Sequence, residues 1–165
     1  MASKEYNDSK QDESKQNRKP QLVSENGQFN RIRWLMERSR RTLRTARLVF
    51  KDEDYASAVN RAYYAIFYAA NAALAAQNVE RHKHSGVISE FRLRFIKTGL
   101  IEREYGALYG DTMDARHDSD YDFVTETERE RAESAIAESE QFVSRIERFL
   151  WEQGYGVSTD LANGK

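Results

Sequence analysis

No proline occurs after Pro20, so nothing in the rest of the chain forces a helix to break. Apolar side chains recur there at intervals of three and four, the spacing that lines one face of an α-helix. In a first segment, about Gln28 to Lys51, the stripe is Ile32, Leu35, Ser39, Leu43, Ala46 and Phe50. Asp52 and Asp54 interrupt it, and Asp54 suits the N-cap of a second helix over about Tyr55 to Gln77. That helix carries Val59, Ala62, Ile66, Ala69, Ala73 and Leu74, and Tyr63, Tyr64, Phe67 and Tyr68 widen the stripe over most of its circumference. A helix apolar nearly all round belongs at the centre of a bundle.

Ser85 suits the cap of a third helix through Val87, Ile88, Phe91, Phe95 and Ile96, with Gly99 placed to end it. A more irregular fourth helix spans about Ile101 to Arg116, where Gly106 and Gly110 lower the helical propensity. Thr125 and Glu128 have the spacing of a capping box for a fifth helix, whose stripe is Ala132, Ile136, Ser139, Phe142, Val143, Ile146, Phe149 and Leu150. Short links between these segments predict antiparallel neighbours. The expected fold is all-α: an up-and-down bundle of four long helices plus a shorter element, over residues 28–152. Residues 1–27 are polar and without periodicity and read as a disordered tail. Residues 153–165 read as a flexible C-terminal tail.

The chain has no cysteine, which excludes disulfides and thiolate metal sites. No apolar run approaches the roughly 18 residues that span a bilayer, and the first residues lack a signal-peptide core. A cytoplasmic location is expected. Net charge is only −1, so no strong overall field acts on nucleic acid. The first helix is the exception. From Arg31 to Lys51 it holds eight basic residues against one acid, Glu37, a formal charge of +7. Two readings stand: the segment packs beside the acidic fifth helix, or it offers a basic face to phosphates.

Candidates for chemistry are few. His82, His84 and His117 lie outside the stripes without carboxylates at ligand spacing, so no metal site is predicted. No cofactor is expected, since no glycine-rich loop follows a strand. The segment Arg116-His117-Asp118-Ser119-Asp120-Tyr121 follows the fourth helix. There Arg116 either braces two helices through carboxylates or binds phosphate, with His117 or Asp120 managing protons. In an antiparallel arrangement the start of the third helix and the finish of the fourth fall together, so His84 is expected to meet Arg116. On the same topology the third helix starts where the second ends, and Arg61 lies farther off unless a second copy supplies it.

The run Arg61-Ala62-Tyr63-Tyr64-Ala65-Ile66-Phe67-Tyr68-Ala69-Ala70, then His84-Ser85-Gly86-Val87-Ile88, then Phe95-Ile96-Lys97-Thr98-Gly99, then Arg116 with Asp120-Tyr121, resembles the HEPN domain family. The resemblance covers roughly residues 30 to 150 and is to the small bacterial and archaeal branch. It implies a helical bundle, usually dimeric, binding nucleotide or RNA, and often paired with a small nucleotidyltransferase in toxin–antitoxin systems. Arg61, Lys97, Arg116 and Tyr121 are the binding candidates it suggests. Many members are metal-independent ribonucleases that use an arginine, four to six residues, then a histidine. That motif is absent here. The arginine slots before His84 hold Gln77, Asn78 and Val79; those before His82 and His117 hold no arginine; and the histidine slots after Arg116 hold Tyr121, Asp122 and Phe123. A binding module is therefore the leading expectation. A ribonuclease with a rearranged site of Arg116, His84, His117 and Asp120 comes second, and a purely structural assembly module third.

Overall fold

The computed structural model describes residues 25–121 and 129–156. They form an all-α bundle: α1 (Glu25–Lys51), α2 (Tyr55–Ala76), α3 (His84–Phe91), α4 (Arg103–Tyr121) and α5 (Arg129–Glu152). A π-helical turn, Arg92–Ile96, continues α3. No strand occurs among the described residues. Most of the expected N-terminal tail lies outside them, although α1 already begins at Glu25. The proposed capping box at Thr125 and Glu128 and residues 157–165 also lie outside them.

Asp54 caps α2 as its side chain predicts, accepting from the Ser57 amide at 3.1 Å. From there α2 runs through the centre, packed against α1, α3, α4 and α5. Ile66 and Ala69 are fully buried, as are Ala58, Ala62, Ala65, Ala70, Ala72 and Ala73, small side chains that let neighbouring helices approach closely. Buried Ser39 and Ser139 satisfy their hydroxyls on the backbone of α2, at Ala65 and Ala62 respectively. At that end of α2 a small core of Ala46, Ala58, Ala62, Ala115, Ala132 and Ile136 gathers four helices.

The charged first helix divides. Arg40 donates to Glu147, which is almost fully buried, and Arg47 pairs with Glu140, so α1 does pack beside the acidic face of α5. Arg31 reaches Glu80. No carboxylate pairs with Arg38, Arg41 or Arg61 among the described residues.

Two local expectations need correction. Ser85 does not cap α3: the cap residue is Lys83, which makes no side-chain cap bond, and the helix starts at His84. Gly106 and Gly110 do not fray α4, which runs unbroken to Tyr121. They are close-approach positions. Arg92, on the π turn, donates to the Gly106 carbonyl at 3.1 Å, and a Cβ on Gly110 would lie 2.5 Å from its guanidinium. Gly99, at φ +75°, does end the π turn in the left-handed conformation that glycine tolerates best.

Candidate functional site

Tyr63 is the ninth residue of α2 and is fully buried, an unusual place for a phenol unless its hydroxyl has a partner. The partner is His84, whose Nδ1 lies 2.6 Å from the Tyr63 hydroxyl. The link of residues 77–83 explains how they meet. It carries the chain back along α2, so His84 stacks on the first half of that helix and not at its end. The imidazole centre lies 4.5 Å from the Phe67 ring, 5.5 Å from Tyr63 and 5.6 Å from Tyr64. The expectation that α3 starts where α2 finishes is therefore wrong, because a seven-residue link can reverse over the roughly 20 Å of helix between Tyr63 and Ala76.

Arg116 approaches from α4. Its guanidinium carbon sits 5.3 Å from the Tyr63 ring centre and 5.5 Å from that of Tyr64, so two aromatic rings hold a permanent cation beside the imidazole. Burial pushes the Tyr63 phenol up to about 12, with the nearby Arg116 charge partly opposing it. Burial lowers the His84 pKa, and the charges of Arg116 and His117 lower it further. The two shifts leave both groups neutral at neutral pH. With the phenol as donor, Nδ1 accepts and the imidazole carries its hydrogen on Nε2. Tyr109 lines the floor, fully buried, its ring 6.2 Å from Tyr63. Burial raises its pKa well above the ordinary value, and its hydroxyl has no well-formed hydrogen bond although it lies close enough to Tyr63 to affect that group's ionisation.

The cluster thus combines a guanidinium with an imidazole N–H, two donors suited to an oxyanion such as phosphate. No group of three or more His, Asp or Glu side chains able to hold a metal occurs among the described residues.

The other sequence candidates scatter. His117 is exposed and close enough to depress protonation of His84. Asp120 and Tyr121 fall in the final turn of α4, and their side chains lie outside the described set. Arg61 is not distant along α2, but it lies on a different face, lining a cleft toward α1 with Arg38, Arg41 and Tyr64. Lys97 follows the π turn, roughly 20 Å of helix rise beyond His84, and takes no part in the cluster. Tyr63 and Tyr109 were readable only as core aromatics. The available signal was that each sits on a buried stripe yet carries a hydroxyl in need of a partner.

The HEPN domain model matches residues 32–149. A UPF0332 protein of Thermotoga maritima is 38% identical over 119 residues, covering 72% of this chain and 90% of its own. The protein named "Putative toxin MJ0605" of Methanocaldococcus jannaschii is 42% identical over 121 residues, covering 73% of this chain and 90% of its own. An all-α bundle with one polar cluster among its aromatic side chains defines a small helical module. The chain belongs to the HEPN domain family. Among the described residues, no helix is long and apolar enough to cross a membrane.

Proposed function

We propose that this chain is a toxin-like HEPN module that binds the phosphate of a nucleotide or RNA at Arg116 and His84. The observation that carries the reading is the Tyr63 hydroxyl on His84 Nδ1 with Arg116 stacked on the same ring. The phenol holds the imidazole in the tautomer that donates from Nε2. The aromatic rings hold the guanidinium in place, so little ordering entropy remains to be lost on binding. The names of two relatives as toxins support the toxin-like part of the reading. The family resemblance adds a small nucleotidyltransferase as partner and a homodimer, and the cytoplasmic setting is carried over from the sequence reading. Half-buried Phe67 and exposed Trp34, which line a neighbouring hollow, supply an aromatic surface for self-association.

Calorimetric titration of the protein with a nucleoside monophosphate tests the core of this reading. Binding is expected for the wild type and strong weakening for Arg116→Ala. Absence of binding in the wild type would refute it. Light scattering at micromolar concentration checks the dimer, which a single-chain mass would reject.

The second reading is a metal-independent ribonuclease, favoured by the shared contact of Arg116 and His84 with Tyr63. A base at the ribose 2′-hydroxyl needs an unprotonated ring nitrogen, and the one His84 has at neutral pH is occupied by Tyr63. This is why binding is preferred. RNA cleavage in excess chelator, lost in Arg116→Ala, would reverse that preference.

A further inference from the structure

An open cleft of about 550 Å³ lies along the α1–α2 seam, and Tyr64, whose ring centre is 5.5 Å from the Arg116 guanidinium, forms part of its wall. Arg38 and Arg41, three residues apart, line it from α1; Asn60, Arg61, Tyr64 and Tyr68 line it from α2. None of its lining residues is acidic. Three guanidinium groups therefore face one hollow without a countercharge among the described residues.

On α1, Arg31, Arg40 and Arg47 find carboxylates at Glu80, Glu147 and Glu140, whereas Arg33 and Arg44 are exposed and, like the cleft arginines, meet none among the described residues. What sets the cleft apart is that arginines from two different helices converge on one hollow. Two like charges three apart on a helix destabilise it slightly, and Arg38 and Arg41 retain that arrangement. Arg38 is also held in place, its guanidinium 5.2 Å from the Trp34 ring and 5.0 Å from the Tyr68 ring. Fixed cations beside aromatic faces are the combination that takes a phosphate and stacks a base. Tyr64 is shared: it contacts the Arg116 guanidinium and forms a wall of the cleft.

We infer that the α1–α2 cleft is a second phosphate site, continuous across Tyr64 with the Arg116 site, and that the two together take a single-stranded oligonucleotide. One phosphate sits at Arg116, further phosphates sit on Arg41 and Arg61, and bases stack on Tyr64 and Tyr68. This rests on the reading of Arg116 as a phosphate site and extends it from a single nucleotide to a polymer.

The test measures anisotropy of a fluorescent eight-nucleotide RNA against salt, and calorimetry of a nucleoside monophosphate, for three proteins. These are the wild type, Arg41→Ala/Arg61→Ala and Arg116→Ala. Both replaced cleft arginines are exposed, so the double variant should fold, and circular dichroism checks that it does. The double variant should bind the oligonucleotide about tenfold more weakly at moderate salt, with a log–log salt slope smaller by about 1.4, because two phosphate contacts are lost. Its binding of the mononucleotide should match the wild type.

Oligonucleotide affinity within twofold of wild type and an unchanged slope would overturn the cleft assignment. If Arg116→Ala still abolished mononucleotide binding, the Arg116 reading would survive that result. Equal losses for mononucleotide and oligonucleotide in the double variant would overturn the separation into two sites. Equal affinity for polyglutamate of similar length would overturn the nucleic-acid assignment. A wild type that bound neither nucleotide nor RNA would refute both readings.

Discussion

Replacing His84 by alanine removes the best hydrogen-bond partner that the fully buried Tyr63 phenol has among the described residues. A buried donor left without a partner costs about 1–3 kcal/mol, and the nearby Tyr109 hydroxyl offers a partial substitute that places the loss in the lower half of that range. Tyr63→Phe removes the donor instead and leaves a neutral imidazole that is only half-buried, at a cost of about 0.5–1.5 kcal/mol. The two losses concern one bond. Tyr63→Phe made in the His84→Ala background should therefore cost nothing, or restore some stability, because it deletes the orphaned hydroxyl. Urea denaturation of the wild type, both single variants and the double variant gives the coupling directly. It should come to about 1 kcal/mol, beyond the roughly 0.3–0.5 kcal/mol scatter of independent sites. Simple additivity would show that the phenol does not fix the imidazole, and the tautomer argument for the anion site would go with it.

Arg116→Ala should raise the His84 titration midpoint, measured by imidazole NMR, yet leave it below the ordinary value because burial is the larger cause. Folding stability should fall as pH drops below about 6.5, where the unfolded histidine takes up a proton that folded His84 resists, and the loss should level off below the folded pKa; chemical denaturation across pH 7 to 4, compared with His84→Ala, isolates this part. Arg40→Ala should destabilise by about 3–5 kcal/mol in thermal or urea unfolding, because it strands the buried Glu147 carboxylate, whereas Arg40→Met with Glu147→Leu should come close to neutral.

α1, α2 and α5 were legible because each is long and its stripe regular. Asp54 and Gly99 marked boundaries through chemistry that acts within a few residues. Ser85 misled because a serine near a helix start is a common cap, and here the chain enters α3 two residues earlier, with Lys83 at the cap position. Gly106 and Gly110 misled for a different reason. Propensity describes an isolated helix, and these glycines answer to Arg92 on another element. Convergence of His84 and Arg116 was anticipated, but through a topology that proved wrong in detail. The link of residues 77–83 has no sequence pattern that reveals its reversal. The Tyr63–His84 bond was out of reach because twenty residues of chain separate partners whose meeting depends on that link.

The turn between α1 and α2 spans only residues 52–54, so this hairpin can pair as soon as both helices leave the ribosome. The contacts that clamp α5 onto it, Arg40 with Glu147 and Ser139 with Ala62, join residues 107 and 77 positions apart. Synthesis therefore delivers the α1–α2 hairpin well before the polar cluster can form, since Arg116 and the helix that buttresses it come later in the chain. A nascent or truncated chain ending before α4 would carry the cleft arginines without the Arg116 site, and any activity that needs both would wait until α4 and α5 have been made.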